Sequence, residues 1–428
     1  MNKITVELNN DLNEKVYMTK LENGLNVYIC KKENFKRKIG MFGTKYGSLT
    51  NDFIDINTGE RVKVTDGIAH FLEHKLFEKE GDNALDLFSK MGVNSNAYTS
   101  FDHTVYYFDT TIKLNESIKM LIKLIKEPYF TDENVAKEQG IIAQEIMMYN
   151  DDPSYMTYFN AIKAMYNKNN IKTDILGTVE TISKITKEDL YTCYNTFYNL
   201  NNMFFVVVGD VDVEETIKLI EKELEKYDNG KRNIPEITRF YEEEPVKINK
   251  ERIVQNMDVF MPQICIGYKL KPKQGKDIIK RAIITDIISD MYFSRITEFY
   301  KKEYDSGILT DKIYLSYEAE DTFAHLMFMS ESLKLDELEK DLIEYINKIK
   351  TEKVDEELFN QVKNNKIATM ILTSDSISNS YRRIIDSILT NTNIYEEITI
   401  AKEITINDIQ RFLSELDDKK RVVSIVKK

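Results

Sequence analysis

The sequence has few cysteines and no long hydrophobic run, which excludes two large classes of protein. The three cysteines, Cys30, Cys193 and Cys265, lie far apart and are odd in number. They therefore do not make a disulfide framework, and we expect them to be small buried hydrophobic residues. No stretch approaches the roughly 18 uninterrupted apolar residues of a membrane span, and the first residues lack the apolar segment of a signal peptide. We therefore expect a cytoplasmic protein.

An excess of basic residues is also missing. The formal net charge is -12 and the isoelectric point is near 5.2, which argues against nucleic acid as a partner because phosphate binding needs a basic surface. Charged residues make up 30% of the chain and hydrophobic residues 42%, as in an ordinary globular protein. A length of 428 residues exceeds one ordinary core, so two or three domains are expected.

Histidine is scarce, with four in the chain, and two of the four stand close together. His70 and His74 are four residues apart, with Glu73 directly before the second, so on a helix all three lie on one face. This H-x-x-E-H pattern is the inverted zinc-peptidase motif. Asp66 is a suitable N-cap for such a helix and Gly81 a suitable stop. The pattern alone leaves both a chance coincidence and a metal site open.

A second helix, predicted for residues 132–150, carries two acidic candidates. Glu138 and Glu145 are seven residues apart, so they share a face and lie about 10 Å apart along the axis. Both cannot reach one compact metal site, and we expect one to ligate while the other orients a histidine. Gly140 between them predicts a close packing neighbour, such as the helix of the histidine motif. Isoleucines at 141, 142 and 146 indicate a substantially buried helix, on which a carboxylate needs a partner.

The rest of the chain alternates strand and helix patterns in two halves. An Asn23-Gly24 turn between alternating arms predicts a hairpin, and the run from Met203 to Val208 is typical of a buried strand. The second half repeats this order more loosely. We predict an α+β fold of two homologous, duplicated α/β-sandwich domains, each an antiparallel-rich sheet with helices packed on one face. The predicted domain limits are 1–232 and 246–428, with a linker at 233–245.

Several further motifs stand in order along the chain: 67–77 with Glu145 downstream, 96–100, 176–178 and 202–211. Together they resemble the pitrilysin/insulysin family of inverted-motif zinc peptidases. Residues 66–79 and 145–153 are similar to its half-length bacterial subgroup, which includes the zinc-bearing subunit of processing peptidases linked to elongation-factor P modification or bacteriocin maturation. The resemblance covers nearly the whole chain, and it implies a fold that forms half of a clamshell.

The resemblance implies a role for each matching residue in the two helices. His70, His74 and Glu145 match the family's zinc ligands. Glu73 matches the catalytic base that takes a proton from the attacking water. Glu138 matches a second acidic residue of the family, which fits the orienting role inferred from its spacing.

The segment after these helices matches a substrate-binding strand in the family. Asn96, Ala97 and Tyr98 correspond to an edge strand that holds the substrate backbone, and such a strand can bind an extended peptide through main-chain hydrogen bonds. Periodicity alone predicts only an ordinary strand here. His103 is a further candidate ligand, but its neighbours Asp102 and Thr104 favour a structural, hydrogen-bonded histidine.

The second half departs from the family pattern. Active members carry an arginine and, seven residues later, a tyrosine in an R-x-x-x-G-L-x-Y context that binds substrate and helps to stabilise the oxyanion. Aligned on Gly307, these positions hold Glu303 and Thr310. An anionic group cannot replace a cationic donor aimed at a developing oxyanion. We therefore predict a heterodimer with a chain of the same fold that lacks the zinc motif and supplies the arginine and tyrosine.

The predicted activity is zinc-dependent hydrolysis of peptides or unfolded segments inside the chamber implied by the family, with leader or bacteriocin peptides as candidate substrates. The alternative is a scaffold subunit that keeps the fold for assembly. The intact ligand set argues against it, because a scaffold has no need of Glu73 beside three ligands. A structural zinc site is disfavoured because three protein ligands leave a position open, whereas structural sites are closed.

Overall fold

The computed structural model describes residues 3–9, 12–227 and 236–428, and its strands are distributed over both halves of the chain. The strands are β1 (Thr5–Asn9), β2 (Glu14–Lys20), β3 (Asn26–Lys31), β4 (Lys38–Thr44), β5 (Asp52–Ile54), β6 (Arg61–Lys63), β7 (Glu78–Lys79), β8 (Asp82–Asn83), β9 (Asn94–Thr99), β10 (Thr104–Thr110), β11 (Met203–Gly209), β12 (Arg252–Asn256), β13 (Gln263–Lys269), β14 (Tyr314–Glu320), β15 (Phe323–Glu331) and β16 (Arg421–Lys427).

The helices lie in the longer connections between these strands. They are α1 (Ile68–Phe77), α2 (Ala84–Lys90), α3 (Leu114–Lys126), α4 (Asp132–Asn150), α5 (Pro153–Met165), α6 (Val179–Ile182), α7 (Lys187–Phe197), α8 (Val213–Leu224), α9 (Lys276–Ile288), α10 (Glu298–Asp305), α11 (Leu335–Thr351), α12 (Glu356–Leu372), α13 (Ile377–Thr390), α14 (Glu396–Glu403) and α15 (Ile406–Ser414). Among the described residues, no helix is long and apolar enough to cross a membrane.

The chain divides into two compact units, and neither is a continuous stretch of sequence. The first unit comprises Met1–Ile146, Thr173–Tyr241 and Thr373–Leu389, and the second comprises Met147–Lys172, Glu242–Leu372 and Thr390–Lys428. The change at residue 242 falls within the predicted linker 233–245, of which residues 233–235 lie outside the described part of the chain. As limits of domains that fold independently, 1–232 and 246–428 stay a prediction.

The first unit is built on a seven-stranded sheet with the order β1-β2-β3-β11-β4-β10-β9. Only β3 and β11 run parallel, and the other neighbours are antiparallel. The central strand β11 is buried along its whole length, as its Val-rich and Phe-rich sequence predicts. The predicted hairpin is present as β2 and β3, with Gly24 at a positive φ of 96° in the connecting turn.

The second unit contains a five-stranded sheet with the order β12-β16-β13-β15-β14. Its first pair is parallel and the other pairs are antiparallel. The five strands β3-β11-β4-β10-β9 of the first sheet follow the same order and the same directions. This shared topology supports the predicted duplication, and the α+β class with antiparallel-rich sheets is confirmed.

Apolar side chains fill the core of each unit. In the first unit the rings of Phe42 and Phe205 lie 5.1 Å apart, and Tyr46 stacks on Phe197 at 3.9 Å. In the second unit β13, β15 and α11 contribute a continuous buried cluster that includes Ile266, Phe328 and Leu342. All three cysteines are buried and unpaired, which agrees with the expectation that they act as small hydrophobic residues.

Candidate metal centre

The helix that carries the histidine motif begins at a close contact between two backbone segments. Gly67 precedes α1 with a φ of 89°, and a Cβ placed on it would lie 2.5 Å from the carbonyl oxygen of Leu176. Gly177, with a φ of 75°, approaches the Asp66 carbonyl equally closely. Only glycine accommodates both the conformation and the contact. The run 176–178 therefore fixes where α1 starts.

Two details of this helix differ from the sequence-based expectation. Asp66 does not cap α1, because the N-cap is Gly67 without a side-chain bond, and the Asp66 carboxylate instead accepts a hydrogen bond from Nδ2 of Asn51 at 2.5 Å. Gly81 is not the stop, because α1 ends at Phe77 and Gly81 lies in the turn between β7 and β8.

His70 and His74 lie one turn apart on α1, and Glu145 reaches them from α4. Nε2 of His70 lies 3.9 Å from one Glu145 carboxylate oxygen, and Nε2 of His74 lies 3.5 Å from the other. One ligand atom from each of the three residues falls within 4.8 Å of the others. In the described part of the chain, this is the one cluster of His, Cys, Asp and Glu side chains with the spacing of a metal site.

The distances fit a metal ion held by two imidazoles and one carboxylate. In a tetrahedral zinc site with bonds of about 2.0–2.1 Å, neighbouring ligand atoms are roughly 3.4 Å apart. The separations of 3.5 and 3.9 Å are close to that value. Three protein ligands also leave a fourth position for a water or a substrate oxygen, as in catalytic zinc sites. The residues present therefore fit zinc.

Glu138 lies behind His74. Its Oε1 is 3.0 Å from Nδ1 of His74, so a protonated Nδ1 donates to the carboxylate and Nε2 is left with a lone pair toward Glu145. This is the usual way in which a carboxylate fixes the tautomer and the ring orientation of a ligating histidine. The two acidic residues of α4 therefore face different nitrogens, Glu138 the Nδ1 of His74 and Glu145 the Nε2 atoms of both histidines.

Glu73 is directed toward the sheet. Its Oε2 accepts a hydrogen bond of 2.7 Å from the hydroxyl of Thr99, at the end of β9. The hydroxyl of Thr104, on the neighbouring strand, lies 3.3 Å from that of Thr99 and bonds the Tyr46 carbonyl at 2.9 Å. One hydrogen bond from the end of β9 therefore holds the Glu73 carboxylate, and the Thr104 hydroxyl on β10 lies next to its donor.

Burial and neighbouring charges shift the pKa values of the three motif residues apart. Burial lowers the pKa of His70 to about 3, helped by nearby His74, so His70 is neutral as a metal ligand must be. Burial would lower the pKa of His74 as well, but its bond to Glu138 and the surrounding carboxylates outweigh burial and raise it. Burial raises the pKa of Glu73, which the bond from Thr99 only partly offsets.

The environment of Gly140 contradicts the predicted packing. A Cβ on Gly140 would meet nothing within 4 Å, and the neighbouring Ile141 is 44% exposed. Ile142 and Ile146 are buried, as expected. The prediction that α1 packs closely against Gly140 is therefore wrong, because α4 turns Glu138, Ile142 and Ile146 inward and leaves Gly140 on its outer face.

The predicted substrate-binding residues lie in β9, the last strand of the first sheet. Among the described residues, β9 pairs with β10 on one side only. Asn96 and Tyr98 are exposed and Ala97 is partly buried. The backbone N–H of Ala97 donates to the side-chain oxygen of Asn96 at 2.8 Å. Thr99 is the last residue of β9 and bonds Glu73, so the strand ends beside Glu73.

Two other histidines lie away from this cluster. Nδ1 of His103 lies 2.5 Å from a carboxylate oxygen of Asp102, and its ring packs edge-on against Tyr98 at 5.5 Å, which agrees with the structural interpretation. His325 is fully buried, and its Nδ1 lies 3.1 Å from the hydroxyl of Tyr166. Neither belongs to the metal-site geometry found in the described residues.

The motif alone did not reveal two contacts of the site. Thr99 bonds Glu73, and Lys75 lies beside Glu138 with its Nζ 3.9 Å from Oε2. Thr99 directly follows the segment matched to the substrate strand, and this position could have indicated that Thr99 lies at the site. Lys75 could have been recognised as a charged residue in the middle of an otherwise apolar helix face, where a lysine needs a partner.

In the second unit, Glu303 and Thr310 stand at the two positions that align with the family's arginine and tyrosine. Glu303 lies on α10 and its side chain is fully buried, with Oε1 accepting a 2.8 Å bond from Nζ of Lys302. Thr310 is exposed. Neither residue offers a cationic or phenolic donor.

Two family models match most of the chain. The model described as Insulinase (Peptidase family M16) matches residues 51–179, which include the whole candidate metal centre. The model described as Peptidase M16 inactive domain matches residues 184–366. Among the described residues of 184–366, no cluster of His, Cys, Asp and Glu side chains has the spacing of a metal site, which agrees with the description of the second model.

Similar curated proteins and solved structures cover from about three quarters to nearly all of the chain. The uncharacterized zinc protease YmfH of Bacillus subtilis is 35% identical over 413 residues, 94% of each chain. The zinc protease PqqE of Helicobacter pylori is 24% identical over 321 residues, 73% of this chain and 71% of that one. A crystal structure described as an M16-like peptidase from Alicyclobacillus acidocaldarius is 30% identical with a TM-score of 0.92, covering 97% of this chain and 99% of the other.

Some longer proteins contain the fold of this chain in about half of their length. The periplasmic protease PqqL of Escherichia coli has a TM-score of 0.75 at 19% identity, and the match covers 99% of this chain but 48% of PqqL. Pitrilysin gives a TM-score of 0.75 at 14% identity, with 99% of this chain and 46% of pitrilysin covered. The chain belongs to peptidase family M16, the insulinase/pitrilysin family.

Proposed function

We propose that this chain is a zinc-dependent endopeptidase whose metal is held by His70, His74 and Glu145. The observation that carries the proposal is the arrangement of a general base beside three ligands: Glu73 is buried, bonded to Thr99, and lies on the same helix turn as both histidines. A purely structural metal site needs no such base. Relatives named zinc proteases support the same reading.

The residues of the site would divide the reaction among them. Zinc, when bound, supplies a Lewis acid that makes water more acidic and polarises the scissile carbonyl. Glu73 takes the proton of the attacking water and returns it to the leaving amine. Its pKa, raised by burial, moves toward the range in which one carboxyl group can accept and then donate a proton. Glu138 keeps His74 in the ligating tautomer.

The substrate would add to the free edge of β9. An extended peptide can pair with an edge strand through main-chain hydrogen bonds, with little dependence on side-chain identity. Asn96, Ala97 and Tyr98 are the residues we assign to this role, and the following residue, Thr99, bonds Glu73. A bound segment would then pass beside the base. Leader or bacteriocin peptides and other unfolded segments are the substrates that suit such recognition.

A second chain of the same fold would complete the site. The position of the family arginine holds the buried Glu303, and the position of the tyrosine holds Thr310, so this chain offers no oxyanion donor there. PqqL and pitrilysin are about twice as long as the region matched by this chain. We propose a heterodimer in which the partner lacks the zinc motif and supplies the arginine and the tyrosine.

Metal content and peptide hydrolysis test the proposed site directly. We expect about one zinc per chain in the purified protein, no zinc in His74→Ala or Glu145→Gln, and normal zinc with hydrolysis reduced at least about 100-fold in Glu73→Gln. His103→Ala, which removes a histidine outside the cluster, should keep its zinc. Full zinc occupancy in the ligand variants would refute the assigned ligands.

The same measurements separate the scaffold alternative. Unchanged hydrolysis in Glu73→Gln would eliminate Glu73 as the base. Normal zinc content with no hydrolysis of any peptide by the wild-type chain, alone or with a same-fold partner, would favour an assembly role over catalysis.

A further inference from the structure

Lys75 is a charged side chain in an unusual place. It directly follows the ligand His74 on α1, and its side chain is completely buried. Lysine is among the residues least often buried, because removing an ammonium group from water is costly unless it is paired. The corresponding surface of α1 is otherwise apolar, with Phe71, Leu72 and Leu76 all buried. A buried cation at this position therefore needs an explanation beyond packing.

The bonds of Lys75 connect the two helices that carry the ligands. Its Nζ donates to the backbone carbonyl of Asn134 at 3.2 Å and lies 3.9 Å from Oε2 of Glu138. Both of these residues are on α4. Nζ also forms an ion pair with Glu78, just beyond the end of α1. Two of the three contacts therefore cross from the helix of the histidines to the helix of Glu145.

Glu138 has a hydrogen-bond partner at one carboxylate oxygen and a cation 3.9 Å from the other. Oε1 lies 3.0 Å from Nδ1 of His74, and Oε2 faces Nζ of Lys75. The carboxylate is itself buried, so an unpaired oxygen would be costly and would favour rotation of the group toward another donor. The hydrogen bond on Oε1 and the nearby cation at Oε2 together favour one orientation of the carboxylate, and with it the direction in which His74 points.

We propose that Lys75 is a positioning residue of the metal centre, which clamps α1 to α4 and holds Glu138 in the orientation that presents Nε2 of His74 to the metal. The inference rests on the proposed zinc site, and it extends that site to a residue that neither contacts the metal nor takes part in the reaction. Residues that orient the ligands of a metal typically change its affinity about ten- to hundredfold when they are replaced.

The test compares zinc affinity in Lys75→Met and in the wild-type full chain, measured by competition with a chelator of known affinity. Methionine keeps an unbranched apolar side chain, one atom shorter than that of lysine, and removes the charge. We expect zinc to bind about ten- to hundredfold more weakly. Lys75→Arg, which keeps a cation that can reach the Asn134 carbonyl and Glu138, should recover most of the lost affinity.

Lys32→Met is the matched control. Lys32 is also a buried lysine of the first unit, paired with one carboxylate, Glu14, at 2.5 Å and one backbone carbonyl, that of Ser374, at 2.9 Å. Its loss should lower the thermal stability of the metal-free chain but leave zinc affinity within about twofold of wild type, because neither partner lies on α1 or α4. An equal loss of zinc affinity in Lys32→Met would overturn a specific role for Lys75.

A double-variant cycle asks whether Lys75 acts through Glu138. If it does, Lys75→Met combined with Glu138→Gln should bind zinc about as weakly as Glu138→Gln alone. Losses that multiply would overturn the proposed route, and so would wild-type affinity in Lys75→Met. A wild-type chain that binds no zinc would overturn the proposed metal centre as well, which distinguishes the two failures.

Folding of the variant is itself informative. A Lys75→Met chain that folds only with zinc present supports the proposal, because the metal then replaces the clamp between α1 and α4. A chain that folds neither with nor without zinc overturns it, since Lys75 would then be required for the core rather than for the ligands. Circular dichroism with and without zinc separates these results.

Discussion

Two glutamates on one helix have different partners, which is the basis for the different roles we propose for them. Glu138 faces the imidazole Nδ1 of His74 and the ammonium group of Lys75, whereas Glu145 faces Nε2 of both histidines. A carboxylate behind a histidine fixes its tautomer, and one in front can ligate. The seven-residue spacing places the two glutamates two turns apart on α4. Their contacts with α1 indicate which one could ligate a metal and which one could orient His74.

At another residue, Glu244, hydrogen bonds make stability depend on pH. Burial alone would raise the pKa of Glu244, but donors from Lys269 and from the backbone N–H groups of residues 167–169 outweigh it and lower the pKa to about 2, against 4.5 for a free glutamate. Stability from this group is therefore complete above pH 4.5 and is lost as pH falls toward about 2. Glu244→Gln should cost about 1 to 2 kcal/mol at pH 7, after screening by solvent, and almost nothing near pH 2.

Urea unfolding of the wild type and Glu244→Gln at pH 7, 4 and 2.5 measures this difference. Glu242→Gln, which removes an exposed glutamate two residues away, is the control and should lose less than about 0.5 kcal/mol at every pH. A difference between Glu244→Gln and wild type that stays constant from pH 7 to pH 2.5 would contradict the assigned pKa.

The sequence predicts residues of the site when the pattern lies within one helix and not when a partner comes from another element. Spacing indicates the histidine motif and the shared face of the two glutamates of α4, and the family resemblance then distinguishes the predicted ligand Glu145 from Glu138. Thr99 and Lys75 depend on contacts across elements, Thr99 with α1 and Lys75 with α4. Gly140 shows the converse, since a helical glycine suggested a close neighbour and the structure leaves open space there.

At the scale of the element, two glycines near the site should respond oppositely to alanine. Gly140 lies in the interior of α4 with free space around a Cβ, so Gly140→Ala should stabilise the chain by about 0.5–1 kcal/mol. Gly177 has a φ of 75° and a Cβ would lie 2.7 Å from the Asp66 carbonyl. Gly177→Ala should therefore destabilise by at least about 1 kcal/mol. Thermal and urea unfolding of both variants check the signs.

Zinc affinity is a second measurement that distinguishes the two glycine variants. Because Gly177 touches the residue before the N-cap of α1, Gly177→Ala should also weaken zinc binding, whereas Gly140→Ala should not. Equal stability changes of the same sign in the two variants would contradict the different surroundings of these glycines.

The edge strand β9 can be tested through one backbone group. The N–H of Ala97 donates to the side chain of Asn96, so an incoming peptide can take over this donor. Ala97→Pro removes the N–H, and proline is tolerated on edge strands. One lost hydrogen bond of about 1 kcal/mol predicts a five- to tenfold higher KM for a peptide with normal zinc content.

Ala97→Val is the control for the edge strand, because it keeps the N–H and suits a strand. Steady-state hydrolysis with one peptide over a range of concentrations separates KM from kcat in both variants. The same KM in Ala97→Pro and Ala97→Val would remove this N–H from substrate binding.

Element limits follow closely from periodicity and capping where the elements are long. The helix predicted for 132–150 has those limits in α4, and the buried strand starting at Met203 is β11. The short pairs β5–β6 and β7–β8 and the helix α5 were not predicted, because two- or three-residue strands have too few positions for a pattern and α5 is apolar around most of its circumference.

At the scale of the whole molecule, the two units share a strand order but not the chemistry. Two helices, α9 and α10, lie between β13 and β14, and neither contains a histidine, whereas α1 in the first unit carries the histidine motif before β9. A duplicated fold can thus keep a site in one copy and use the other differently. The sequence shows that the second half lacks the histidine motif. The shared strand order is visible only in the structure, because strands that pair are distant from each other in sequence.

A two-chain assembly is the last consequence we test. The chain alone offers Glu303 and Thr310 where the family has oxyanion donors, and loss of one such donor costs about 10²–10³ in kcat. We expect weak hydrolysis by the isolated chain and an increase of about 100-fold or more when a same-fold chain with the arginine and tyrosine is added. A partner with that arginine changed to alanine should bind equally well but give about 100-fold less activity. Activity of the isolated chain equal to that of the mixture would exclude the shared site, because the oxyanion would then be stabilised by residues of this chain alone.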